Sequence, residues 1–153
     1  MDEHALIAAG LALLGQVWDT GIELGPDGAC TLTFDQGLEV ALWHDISNSR
    51  LHIDADLLDI HAEHRSGIYK RALILNHTAF ETAGVTVALD HTHHQLIARS
   101  ALSLTALEPD TLAERIADVL LATQALHEKL HIDHDDDSGS TIHPAHHSGF
   151  IKA

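Results

Sequence analysis

Apolar residues recur along this chain with two different periods. In residues 4–18, Leu6, Ile7, Leu11, Leu14 and Trp18 fall at spacings of three and four, with alanines and further leucines between them, which predicts a helix. Only Gln16 and the termini of that segment are clearly polar, so the helix either lies deep in a core or is covered by another chain. Gly21, Gly25, Pro26 and Gly28 then break it. From Ala29 the period drops to two. Cys30, Leu32 and Phe34 alternate with Thr31, Thr33 and Asp35, then Leu38, Val40 and Leu42 with Glu39, Ala41 and Trp43. Leu51, Ile53 and Ala55 alternate in turn with His52, Asp54 and Asp56. With tight connections at 35–37 and 47–49, these segments predict a three-stranded antiparallel meander, apolar on one face.

After a polar, irregular stretch at 57–66, Ile68 to Phe80 reads as a second helix. Gly84 precedes an alternating strand carrying Val85, Val87 and Leu89, and Asp90-His91-Thr92-His93 turns the chain back. Leu96, Ala98, Leu102 and Leu104 mark a fifth strand. Pro109 suits the first turn of a last helix, and Thr111-x-x-Glu114 has the form of a capping box. Leu112, Ile116, Val119, Leu120, Thr123, Leu126 and Leu130 give that helix a continuous apolar stripe. Residues 131–153 hold Asp135-Asp136-Asp137, Ser138-Gly139-Ser140 and five histidines, too little apolar surface to offset the entropy of ordering, so they read as a flexible acidic His-rich tail. The order α-β-β-β-α-β-β-α in one domain over 1–130 is an α+β fold: a twisted antiparallel sheet with helices packed against it.

Composition narrows the function. Lys and Arg number 8 against 23 Asp and Glu, a net charge of −15 with neutral histidine. That balance argues against nucleic acid and anionic membrane surfaces, both of which are held by clustered Lys and Arg. A single cysteine, Cys30, excludes an intramolecular disulfide and suggests a reducing compartment. The N-terminus Met1-Asp2-Glu3-His4 is acidic where a secretory signal needs positive charge, and Ala5 to Leu14 is too short to span a bilayer, so a cytoplasmic protein is expected.

The stretches Asp27-Gly28-Ala29-Cys30-Thr31-Leu32-Thr33-Phe34, Leu38-Glu39-Val40-Ala41-Leu42 and Leu51-His52-Ile53-Asp54-Ala55-Asp56-Leu57 resemble the class I chaperones of bacterial type III secretion, the CesT/SycE-like family. The likeness continues through Leu73-Ile74-Leu75-Asn76, Gly84-Val85-Thr86-Val87-Ala88-Leu89-Asp90 and the helix from Asp110 to Leu130. It resides in order, length and acidity rather than in any one motif; the histidine content and the tail depart from it. The resemblance implies no catalysis and no cofactor. It implies a homodimer formed through the second helix and neighbouring strands, and a partner: the N-terminal segment of a type III effector, held extended and kept secretion-competent.

On that reading, effector contacts are expected at Leu11, Leu14, Trp18, Leu32, Phe34 and Trp43, and dimer contacts at Leu73, Phe80, Val85 and Val87. Trp43 lies on the strand face opposite Leu38, Val40 and Leu42, so it is either outward and partner-facing or part of a second buried face. Leu11, Leu14 and Trp18 either pack onto the sheet or belong to a client groove. Two other readings stay open: a generic interaction adaptor on the same fold, and a His-rich metal-binding protein using His91-x-His93-His94, His131-x-x-His134, His143 and His146-His147. The resemblance itself implies no metal. Cys30, on the apolar side of its strand, has the setting of an inert thiol.

Overall fold

A computed structural model describes residues 2–61, 65–78 and 83–137. Among these residues three α-helices and five strands follow in the order α1 (Glu3–Trp18), β1 (Ala29–Thr33), β2 (Glu39–Asp45), β3 (Arg50–Asp59), α2 (Arg65–His77), β4 (Thr86–Asp90), β5 (Gln95–Ser103) and α3 (Pro109–Asp137). The α+β order is the one the two periods predict. The sheet runs β1-β2-β3-β5-β4 with every neighbour antiparallel. β5 is therefore inserted between β3 and β4, leaving β1 and β4 as the two edges.

Local chemistry sets the ends of α1. The carboxylate of Asp2 accepts from the Ala5 backbone N–H at 2.7 Å and caps the N-terminus. At the other end Asp19 adopts a left-handed conformation (φ 51°) and Thr20 N donates to Gly15 O at 2.9 Å. The chain folds back so closely that a Cβ on Gly15 would sit 2.5 Å from Thr20 O, which only glycine tolerates. Glu3 reaches His44 of β2 at 2.9 Å and ties the helix to the sheet.

The strands bury alternate residues. Val40 and Leu42 of β2, Leu51, Ile53, Ala55 and Leu57 of β3, and Leu96 and Ala98 of β5 join Leu6, Ile7, Leu11 and Leu14 of α1 and Leu112, Ile116, Val119 and Leu120 of α3 in one core. Each fully buried Leu or Ile contributes about 1.5–3 kcal/mol by leaving water. α1 packs along α3, α3 lies on β3 and β5, and α2 packs beside β4. The other face of the sheet carries Thr31, Thr33, Glu39, Ala41, Trp43, Asp56 and Arg99 at exposed positions, and no described element covers it.

Three boundaries and one cap differ from the pattern reading. α2 begins at Arg65 rather than Ile68, and β3 continues to Asp59 through an irregularity between Asp56 and Leu58. α3 begins at Pro109 as expected, but Leu112 N donates to Glu108 O at 3.0 Å, so Thr111 already lies inside the helix and forms no capping box. α3 also runs to Asp137, seven residues past the expected boundary at 130. Extending an established helix costs little compared with nucleating one, and the stripe ending at Leu130 supplies the anchor. Residues 138–153 of the expected tail lie outside the described residues.

Candidate functional site

The β1 edge is the place where this chain offers both backbone and apolar surface. His44 N donates to Gly28 O at 3.0 Å, and Phe34 N donates to Leu38 O at 2.8 Å. In an antiparallel ladder alternate residues bond to the partner strand, so Gly28, Cys30, Leu32 and Phe34 face β2. The N–H and C=O groups of Thr31 and Thr33 therefore point away from the sheet. At the near end the edge is closed: Gly25 N donates to Ala29 O at 2.7 Å, and Asp27 Oδ1 accepts from Ala29 N at 3.3 Å.

Three of the expected site residues gather beside this edge. Trp18, Leu32 and Phe34 are half-buried and pack against the core, and Trp18 meets Phe34 edge to face with ring centres 6.1 Å apart at 78°. A shallow groove lined by Leu13, Leu14, Val17, Trp18, Ala113 and Ala117 continues between α1 and α3. Val17, on the same helix and 79% exposed, was not among the residues singled out from sequence. Its place one residue from Trp18 in an all-round apolar helix was the available signal.

The expectation for Leu11 needs correcting: it is 0% exposed and belongs to the chain's own core. Leu14, 3% exposed, is a core residue that also forms part of the groove's floor. The helix buries one stripe, Leu6, Ile7, Leu11 and Leu14, against α3 and the core, and leaves Ala5, Ala12 and Val17 exposed on its other side.

Trp43 is outward but stands on the opposite face of the sheet from Trp18, Leu32 and Phe34. Its ring stacks on His52 with centres 4.1 Å apart and planes 7° from parallel. Its indole Nε1–H donates to Asp54 Oδ2 at 3.2 Å. Arg99 grips the same carboxylate through Nε at 2.9 Å and Nη2 at 3.2 Å. His52 Nε2 lies 3.6 Å from Asp45 Oδ2.

The other edge is plugged at Val87. Asn76 of α2 donates from Nδ2 to Val87 O and accepts at Oδ1 from Val87 N, both at 2.8 Å. One side-chain amide thus occupies the backbone position a neighbouring strand would take. The expected dimer residues divide here. Leu73 is 71% exposed on α2, with Tyr69 and Ile74 exposed near it, whereas Val85 and Val87 are buried in the chain's own core and present no side chain to a second copy. Phe80 lies outside the described residues. Tyr69, Leu73 and His77 repeat at helical spacing, the signal by which Tyr69 was findable in sequence.

Titratable groups add structure rather than chemistry. Burial pushes the Cys30 thiol up, away from the reactive thiolate. Asp90, hydrogen-bonded by the His93 ring at 2.7 Å and by the backbone N–H groups of Thr92 and His93, is held down at about 2, and His93 is raised in return. Among the described residues no three His, Cys, Asp or Glu side chains converge to hold a metal ion. Also among them, no helix is long and apolar enough to cross a membrane.

The sequence model of the Tir chaperone protein (CesT) family matches residues 10–127, from α1 through most of α3. The chain belongs to that family. It is a family of secretion chaperones, not of enzymes. Comparison with curated proteins gives no match. Among solved structures, a chain of the ExsC–ExsE complex superposes with a TM-score of 0.64 at 17% identity, covering 85% of this chain and 97% of that one. A chain of the HopA1–SchA chaperone–effector complex gives 0.60 at 18% identity, covering 84% and 98%. A chain of the ExoU–SpcU complex from the type III secretion system of Pseudomonas aeruginosa gives 0.62 at 16% identity, covering 81% and 93%. At such identities these likenesses concern the fold.

Proposed function

We propose that this type III secretion chaperone receives the N-terminal segment of an effector as an added strand on β1. The single observation that carries this is the open edge at Thr31 and Thr33, beside the half-buried cluster of Trp18, Leu32 and Phe34. An unfolded segment gains main-chain hydrogen bonds from such an edge and anchors apolar side chains in the neighbouring groove. Because it orders only on binding, it needs both contributions. The action is masking: the client is kept extended, and no covalent step is required.

The protein acts as a homodimer in the bacterial cytoplasm. Tyr69, Leu73 and Ile74 on α2 and Leu89 on β4 supply exposed apolar surface on the side away from β1, where a second copy fits without covering the client edge. Coexpression with the N-terminal segment of a cognate effector, followed by size exclusion with light scattering, tests both parts. The expected complex holds two copies of this chain, and Leu73→Glu yields a folded monomer. A wild-type monomer that retains no effector segment contradicts the proposal.

A further inference from the structure

The first 49 residues, which build α1, β1 and β2, contain eight carboxylates from Asp2 to Asp45 and not one Lys or Arg; the first base is Arg50. The two faces beside the edge also differ. On the helix side a bound strand meets Leu32, Phe34 and Trp18. On the open side it meets Thr31 and Thr33, and one strand further in, Ala41 opposite Thr31 and Glu39 opposite Thr33.

Trp43 completes that open side. One face of its indole lies on His52, and its Nε1 is engaged by Asp54, itself gripped by Arg99. On the other side its cross-strand neighbour is Ala29, too small to cover the second ring face. The indole is thus held against His52 and Asp54 while the residue as a whole stays 38% exposed, on the same face as Thr31, Thr33, Ala41 and Glu39. A guanidinium or ammonium group is attracted to an indole ring, and a long basic side chain reaches it by laying its methylene stem over small residues.

Resting on the strand-addition reading above, we propose that the segment bound on β1 alternates apolar and basic residues. Its Lys or Arg side chains lie on the face shared by Thr31, Thr33, Trp43 and Glu39. Its apolar side chains lie between them, on the face shared by Leu32 and Phe34. The alternation follows from the period of a strand, and the two chemistries from the two faces it joins.

The test uses the full chain and blocked, fluorescein-labelled peptides that alternate Leu with Arg, Leu with Thr or Leu with Glu. A fourth peptide has the Leu/Arg composition with the leucines grouped. Binding is followed by anisotropy at ~0.05 and ~0.5 M NaCl, a range that separates screened from unscreened attraction. Alternating Leu/Arg is expected to bind about tenfold more tightly than Leu/Thr, with Leu/Glu weakest, a size consistent with one cation–π contact and one ion pair. The grouped peptide is expected to lose most of that advantage. Trp43→Leu and Glu39→Lys each reduce the preference about threefold, whereas Asp59→Lys, at the far end of β3, leaves it unchanged. Equal binding of Leu/Arg and Leu/Thr overturns the alternation while leaving strand addition intact. An advantage that the grouped peptide keeps, or that Asp59→Lys reduces as much as Glu39→Lys, overturns it too, since bulk charge then explains the effect. No binding by any alternating peptide overturns strand addition itself.

Discussion

At one edge of the sheet the amide of Asn76 holds the N–H and C=O of Val87 at 2.8 Å each, and α2 lies alongside β4. At the other edge, nothing in the described chain takes up the outward groups of Thr31 and Thr33, although Gly25 and Asp27 close the ladder one residue pair earlier at Ala29. Unpaired strand edges invite association with other chains, and proteins cover the ones they do not use. The contrast between β4 and β1 teaches which edge is available. The same helix that plugs β4 turns Leu73 and Ile74 outward, so the covered edge is also the side suited to a second copy.

The largest effect is expected from reopening the closed edge. Asn76→Ala leaves two part-buried backbone groups of Val87 without partners, a loss of about 1–3 kcal/mol in denaturant unfolding. If that variant unfolds at the wild-type midpoint, the amide is not a structural plug.

Closing the open edge comes next. Thr33→Pro removes an N–H that points away from β2, so the fold keeps its own ladder while an added strand loses a donor and meets the ring. Effector-segment affinity is expected to fall about tenfold with stability changed by less than about 0.5 kcal/mol. A variant that unfolds early shows instead that Thr33 N–H serves the chain's own structure.

The smallest effect is a difference in acid response between the two sides. Glu3, hydrogen-bonded by Ser49 and by His44 of β2, is held below the ordinary carboxylate range, and Asp90 at the end of β4 lies at about 2. A depressed carboxylate stabilises the fold above its unfolded-state pKa, and that contribution is lost as pH falls through the folded-state value. Acidification is therefore expected to protonate Glu3 before Asp90, loosening α1 from β2 while the β4–β5 turn persists. His93 runs the other way: its pKa is raised, so its contribution is complete below the ordinary histidine value and is lost as pH rises through the shifted one. Carboxyl chemical shifts followed by NMR from pH 6 downward check the order (a window spanning ordinary carboxylate values). An Asp90 midpoint above that of Glu3 contradicts it.

Much of this architecture is legible in the sequence because strands state their faces. Leu38, Val40 and Leu42 alternate with Glu39, Ala41 and Trp43, and the structure buries the first set and exposes the second. Leu32 could be nominated with Phe34 for the same reason, whereas Trp18 follows from the helical spacing of α1. Whether Leu11 and Leu14 face the core or a partner is not legible, because a helix apolar all round does not say which side its own chain will cover. Val85 and Val87 show the analogous ambiguity: alternation gives their face but not whether the cover comes from this copy or another. The Asn76–Val87 pairing is invisible to periodicity, since it joins a helix to a strand through one polar side chain. The insertion of β5 between β3 and β4, which decides which strands are edges, is likewise a tertiary fact.

Amide hydrogen exchange on the chaperone, free and bound to an effector's N-terminal segment, addresses the question at individual backbone groups. Strand addition on β1 requires the Thr31 and Thr33 amides to exchange readily in the free protein and to become strongly protected in the complex, with Val87 protected alike in both. Protection that appears along β4 while Thr31 and Thr33 stay unchanged would show that the client binds elsewhere.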